Sequence, residues 1–326
     1  MRMFKNTLTR AFVGLSLIPF FFAANFAQQS NEKRRDENQT VRTVTIPISI
    51  FTKQEIKENQ TGEFVQAGNL LVREDGDEQT ILSIRSVVNT PLAIAVLIQD
   101  DLTSSVNLQL DGIRKFIRGL PQGSRVMVAY LRGGSLQIRQ KFTEDLERAA
   151  KSVRIVAASS DFSSGNPYEQ VEDAIKRFDA LPTGRRAILF VSDGLDTSRG
   201  AESSSPAQNF DLDRAVSKAQ RKSIAVYSFY NASSLTENGN SILALNGQGS
   251  LNRLSEETGG RAFFQGTGSP VSFDPFFRDL NNSLNRQFAL TYLSTHFKKG
   301  FHKIEVTSTN PDVRIEHPKG YFYKQR

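Results

Sequence analysis

Residues 185–199 read RRAILFVSDGLDTSR, and this stretch decides the fold. Two basic residues precede five apolar ones, Ala187 to Val191, and Ser192-Asp193-Gly194-Leu195-Asp196-Thr197 follows. A short unbroken apolar run is the pattern of a strand buried on both faces of a sheet. A carboxylate directly after such a strand lies at the carboxyl edge, where open α/β sheets hold their ligands. Asp193 is therefore either a ligand-binding carboxylate or the first half of an Asp-Gly turn.

Working outward, the neighbouring segments alternate in type. Ala93 to Ile98, Val126 to Leu131 and Ile224 to Phe229 are further apolar strands, and Arg261 to Phe264 is a brief one. Between them lie helix-spaced faces. These are Val106-Leu110-Ile113-Ile117, then Leu146-Ala149-Ala150-Val153, Tyr168-Val171-Ala174-Ile175-Phe178 and Leu212-Ala215-Val216-Ala219. Thr143 is the expected N-cap of the second. Leu251 and Leu254 predict a short helix stopped by Gly259-Gly260, and a last helix runs from Phe273-Asp274-Pro275 to about Asn285. This alternation predicts an α/β class fold, a doubly wound, mostly parallel sheet flanked by helices.

Both flanks have a different texture. Val44, Ile46, Ile48 and Ile50 alternate with polar residues, and Pro47 places that strand at a sheet edge or bulge. Asn69 to Arg73 and Glu78 to Ile84 surround Glu74-Asp75-Gly76-Asp77, a hairpin signal. Gln287 to Ser294, Lys303 to Thr309, Val313 to Glu316 and Gly320 to Tyr323 are β segments as well. Neither flank buries much alone, so the N- and C-terminal segments are expected to pair into one small antiparallel β side domain. The resulting division is 41–86 and 286–326 for the side domain and 87–285 for the α/β domain.

Residues 1–27 carry Arg2, Lys5 and Arg10 before the apolar run Ala11 to Ala24. This is a signal-peptide pattern, too short and too Pro-interrupted for a membrane span. It implies a secreted or periplasmic protein with no span after cleavage. Cutting after Ala27 leaves Asn25 at the third position before the cut, which keeps an uncleaved membrane anchor as the alternative. Residues 28–40 read as a disordered linker.

The chain of 326 residues has no Cys and three His, His296, His302 and His317, all near its C-terminus. Thiolate chemistry, disulfides and cysteine zinc sites are excluded, and a histidine centre would have to be built at that end. Three of the seven net positive charges lie in residues 1–27. The other basic residues are scattered, with no nucleic-acid motif. There is no GxxxxGK[ST], no GxSxG, and no GxGxxG after Ile98.

The order of these parts resembles the von Willebrand factor type A fold, and more closely the secreted bacterial VWFA-related domains. The residues that carry the resemblance are AILFVSDGLDT (187–197), Ile224 to Phe229, LSEETGGRAFF (254–264) and the ending Gln287 to Leu293 through Gly320-Tyr321-Phe322. It covers roughly residues 41–323. The resemblance implies a metal-ion-dependent adhesion site of the form D-x-S-x-S after the first strand, a Thr in a middle loop, and an Asp after the fourth strand. Mg²⁺ or Mn²⁺ would sit in an all-oxygen shell and bind an acidic side chain of a protein partner without performing a reaction.

Asp101, Thr103 and Ser105 supply the first part as D-x-T-x-S, about two residues further from the apolar strand than the family pattern. Aligning by the strand instead brings Gln99 or Asp100 to that place. The middle loop 161–167 has no Thr, so Asn166 or Ser164 would serve. Asp193 supplies the last part. The reading is a non-enzymatic protein-interaction or adhesion domain. Two alternatives stand beside it: a metal-free interaction scaffold whose site has decayed, and a hydrolase working through Asp101 and Asp193.

Overall fold

The computed structural model describes residues 41–52, 70–158, 165–182, 184–200, 204–237 and 241–323. The signal-peptide and linker segments, and Ser164, lie outside them. Val41–Arg326 forms one compact unit that holds two sheets.

In chain order the elements are β1 (Arg42–Thr52), β2 (Leu70–Glu74), β3 (Asp77–Ser86), β4 (Leu92–Gln99), α1 (Leu110–Arg118), β5 (Arg125–Arg132), β6 (Ser135–Thr143), α2 (Leu146–Lys151), α3 (Pro167–Arg177) and β7 (Arg185–Ser192). They continue with α4 (Phe210–Arg221), β8 (Ala225–Tyr230), α5 (Ser234–Glu237), α6 (Ser241–Thr258), β9 (Ala262–Phe263), α7 (Asp274–Asn285), β10 (Gln287–Ser294), β11 (Gly300–Ser308), β12 (Val313–Glu316) and β13 (Gly320–Tyr323).

The α/β sheet has the order β6-β5-β4-β7-β8-β9. All its pairings are parallel except that of β6 with β5. The apolar strands are buried on both faces, as their sequences require. One face packs Ile94, Val96 and Ile98 of β4 against α1, α2 and α7. The other packs Ala95, Leu97, Ile188 and Phe190 against α3, α4 and α6. On the first face, Phe229 of β8 meets Phe263, Phe273, Phe276 and Phe277 edge-on, at centroid distances of 5.0 to 5.3 Å. Those paired phenylalanines are core, as expected, whereas Phe264 is exposed.

Strand β6 is absent from the sequence reading. Its turn, Gly133-Gly134, has φ of +55° and +69°, the signature of a tight hairpin that only glycine adopts freely. Leu136, Ile138 and Phe142 alternate toward the core, but at an exposed sheet edge their polar neighbours weaken the pattern. Two further expectations are corrected. Asp145, not Thr143, caps α2 by accepting from the Arg148 amide. The short helix at Leu251 and Leu254 is instead 18 residues long, its first half hidden in the sequence by Gly247 and Gly249.

The second sheet is antiparallel, in the order β12-β1-β10-β3-β2-β11-β13. β10 inserts between β1 and β3, so the two ends of the chain interleave in one sheet. Its inner face is Val44, Ile46, Ile48, Val72, Leu290, Tyr292, Ile304 and Val306. Pro47 pairs with Ala289 of β10, while β12 covers only Ser49 to Thr52. The proline therefore sits where β1 has a partner on one side only, as its missing amide demands. Arg185, the first residue of the deciding stretch, joins the two sheets. Its guanidinium donates to Gln287 Oε1 at 2.8 Å, to Leu284 O at 2.8 Å and to Val87 O at 3.2 Å.

Candidate metal centre

From β4 the chain crosses over to β5 on one side, then returns to β7 on the other. The carboxyl ends of β4 and β7 therefore border the topological switch point, the crevice where doubly wound sheets bind ligands. Counting the missed edge strand, β7 is the fourth strand of this sheet and Asp193 stands directly after it. The loop after β4 carries Asp101, Thr103 and Ser105.

The two strand ends are locked together. Ser192 Oγ donates to Gln99 Oε1 at 2.5 Å, and the Asp193 amide donates to the same oxygen at 3.3 Å. Gln99 is thus a positioning residue rather than a ligand. Asp100 is spent on an ion pair. It is wholly buried, and Arg154 donates to both its oxygens at 2.9 and 2.7 Å. Arg132 lies 3.4 Å away. The ambiguity over which residue takes the aspartate place therefore falls to Asp101. Breaking this pair leaves a buried carboxylate short of compensation. Arg154→Met is expected to lower stability by about 3 kcal/mol, and adding Asp100→Asn to recover most of it; urea unfolding of the three proteins checks this.

Asp193 is 2 % exposed. The Leu195 amide donates to its Oδ1 at 3.0 Å, and Ser233, on the loop after β8, hydrogen-bonds its side chain. Its carboxyl is pushed up from 3.8 to about 6, first by burial and second by the negative charge of Asp101. Burial is the larger of these causes, and the charge of Asp101 adds repulsion to it. Thr103 Oγ1 lies 2.8 Å from Ser105 Oγ and 3.2 Å from Ser269 Oγ. Adjacent oxygens around an octahedral Mg²⁺ at about 2.1 Å are about 3.0 Å apart, so the spacing of this hydroxyl pair suits two neighbouring ligands. The loop is held in place by a Leu102–Ser233 bridge and by the Thr103 amide, which donates to Ala232 O at 2.9 Å.

Asn166 does not join this group. Its Oδ1 accepts from the Glu169 amide at 3.1 Å, capping α3, and its Nδ2 donates to Asp211 Oδ2 at 2.8 Å. The physical reason is local: Asn followed by Pro at the first helical position is an N-cap signature. Asp196 turns on its own loop, accepting from the Ser198 amide at 3.0 Å. Ser233 and Ser269 were not foreseen. Ser233 had a readable signal, since Asn231-Ala232-Ser233 follows a buried strand just as Ser192-Asp193 does.

The loops after β4 and β7 carry two carboxylates, Asp101 and Asp193, and small hydroxyls to the same end of the sheet, oxygen donors of the kind that suit Mg²⁺ or Mn²⁺. A dication beside Asp193 would offset the cost of burying its charge, the first cause of its raised value, and the repulsion from Asp101 that adds to it.

The strand order, the switch-point placement and an aspartate after the first and fourth strands now stand together. The α/β part of the chain has the strand order and the helix-flanked, mostly parallel sheet that the von Willebrand factor type A resemblance implies. No family model matches the chain, and no curated protein matches it. Among solved structures, it is similar to a conserved hypothetical protein, BatB, from Bacteroides thetaiotaomicron, at TM-score 0.41 and 13% identity over 60% of this chain and 96% of that one. An aerotolerance-related membrane protein from Bacteroides fragilis gives TM-score 0.39 and 13% identity, over 60% and 98%. The SpRpn10 VWA domain gives 0.38 and 10%, over 59% and 94%. Scores this low carry no function across. In the type A-like sheet here, the site rests on its own geometry.

Proposed function

We propose that this chain is a protein-interaction domain that engages an acidic side chain of its partner through a divalent cation held at the switch point. Asp101, Thr103, Ser105 and Asp193 would hold the cation, and the partner's carboxylate would complete its shell. The observation that supports this best is the placement of Asp101 and Asp193 on loops that follow adjacent parallel strands at the switch point, with the Thr103–Ser105 hydroxyl pair on the first of those loops.

The surroundings favour binding of a protein surface. Leu108, Ile155, Phe210, Ile242, Leu245 and Val271 are all exposed, and each lies on a segment at the carboxyl edge of the sheet. An apolar rim around a charged centre is the composition of an interaction face. We also propose that the protein acts outside the cytoplasm, on the signal-peptide pattern of residues 1–27. Among the described residues no helix is long and apolar enough to cross a membrane.

Titration calorimetry with Mg²⁺ and Mn²⁺ at pH 7.5 tests the cation. One site per chain is expected, lost in Asp101→Ala and in Asp193→Ala. Asn166→Ala should keep the site while lowering stability by about 1 kcal/mol through the lost cap. Absence of binding heat in the unaltered protein would remove the cation and favour the metal-free scaffold.

A further inference from the structure

Two of the chain's three histidines, far from the switch point, converge on the Glu74–Asp77 hairpin. Asp75 and Gly76 have φ of +52° and +99°, a tight turn whose first residue is an aspartate. The Lys303 amide donates to Asp75 Oδ1 at 2.8 Å, which leaves Oδ2 for the imidazole of His302. That ring donates from Nε2 to Lys298 O at 2.6 Å. Its Nδ1 lies 2.8 Å from Asp75 Oδ2 and 3.2 Å from Glu74 Oε1. His296 repeats the arrangement. Its Nε2 is 3.1 Å from Asp77 Oδ2, and its Nδ1 is 4.0 Å from Glu74 Oε1.

Two independent observations point to a missing ligand. Glu74 is wholly buried, yet its Oε2 has no hydrogen-bond partner, and His296 Nδ1 is buried in the same condition. Glu74 Oε1, by contrast, is well served: Tyr321 Oη donates to it at 2.6 Å and Arg42 Nη2 at 3.1 Å. A buried carboxylate oxygen and a buried ring nitrogen left unpaired in one cluster are costly, unless something they bind satisfies both.

We propose that Glu74, Asp75, His296 and His302 form a structural site for a zinc ion. Donors around tetrahedral zinc, at about 2.0–2.1 Å from the metal, lie about 3.4 Å from one another. One donor atom each from Glu74, Asp75 and His302 lies within 4.8 Å of the other two; His302 Nδ1 is 2.8 Å from Asp75 Oδ2 and 3.2 Å from Glu74 Oε1, and His296 Nδ1 stands at the edge of the group, 4.0 Å from that same Glu74 oxygen. The donors outside the shell are those a zinc site needs. Lys298 O takes Nε2–H of His302 and so leaves the Nδ1 lone pair for the metal, as carbonyl partners of ligating histidines do. Arg42 donates from Nε to His296 O at 2.7 Å, holding that backbone in place while its charge offsets part of the two carboxylates. The ion would tie the β2–β3 hairpin to β11 and to the segment after β10, in a sheet assembled from both ends of the chain. Zinc prefers imidazole where Mg²⁺ prefers oxygen, so this site and the switch-point site are chemically separable.

The test is zinc titration of the full chain, stripped with chelator, in excess Mg²⁺ that fills the oxygen-only site. One zinc per chain is expected, with a rise in Tm on binding and, with Co²⁺ instead, the intense visible absorption of a tetrahedral centre. Asp193→Ala should leave all three unchanged, so failure of the switch-point reading would not register here. His296→Gln, at the partly exposed ligand, should weaken zinc at least tenfold. His296→Gln with His302→Gln should abolish it. No zinc uptake by the unaltered chain, or undiminished uptake by folded His296→Gln, would overturn the proposal.

Discussion

Gly247→Ala is expected to destabilise the protein by roughly 3 kcal/mol and to abolish cation binding at the switch point. Helix propensity alone says the opposite, since Ala in place of Gly in a helix interior stabilises by about 1 kcal/mol. Packing reverses the sign. A Cβ on Gly247 would land on the carbonyl oxygen of Asp193, and one on Gly194 would land on the Gly247 carbonyl. Both obstacles are backbone, so no side chain can swing aside. Gly194 itself has φ of +72°, and the Tyr168 hydroxyl donates to its carbonyl at 2.6 Å. The loop is therefore pinned on one side by Tyr168 and on the other by bare helix backbone. An inserted methyl must push Asp193 away from the strand-end position where Gln99 holds its amide. Gly249→Ala is the matched control, because its Cβ would meet only the Pro206 ring, at 2.9 Å. Chemical unfolding and cation titration of both variants decide the matter. If Gly247→Ala were as stable as Gly249→Ala, the close approach of helix and loop would be refuted.

The same contact explains what could and could not be read from the sequence. Ala187 to Val191 is legible because a strand buried on both faces admits no polar residue, and Asp193 follows from the strand's end. Gly247 and Gly249 look like helix breakers until the partner backbone is known; only then are they the residues that let α6 touch the loop. Asp100 and Asp101 are neighbours with nothing in the chain to separate them. Arg154, 54 positions later in the sequence, captures one and leaves the other to the site. Asn166 shows the reverse case. Its cap is written locally in Asn-Pro, whereas a middle-loop metal ligand is only what the resemblance implies. The histidines escaped for a third reason. His302 becomes a neighbour of Glu74 because β11 pairs with β2, a contact across more than two hundred residues that no spacing rule reports, and His296 comes with it on the segment between β10 and β11.

Asp193→Asn is expected to stabilise the cation-free protein at neutral pH while ending cation binding. The sign follows from linkage. The folded value, about 6, stands above the ordinary 3.8, so the native state holds its proton more tightly than the unfolded chain does. Below about pH 4 both states are protonated and Asp193 costs nothing. As pH rises from about 4 to 6 the unfolded chain ionises first, and stability falls by about 3 kcal/mol in total. Above pH 6 the loss is complete and constant. Asparagine has no charge to bury, so the variant should match the parent near pH 4 and exceed it by up to about 3 kcal/mol at pH 7.5. Its oxygen can still accept from the Leu195 amide, so the turn after the strand keeps that bond. Saturating Mg²⁺ should close the gap by stabilising the parent alone, and cation affinity in the parent should weaken about tenfold for each pH unit below 6. Unfolding measured from pH 4 to 8, with and without Mg²⁺, tests all of these. A variant no more stable than the parent at pH 7.5 would mean that the buried Asp193 charge costs the folded protein nothing. The buried carboxylate would then give no support to a cation at the switch point.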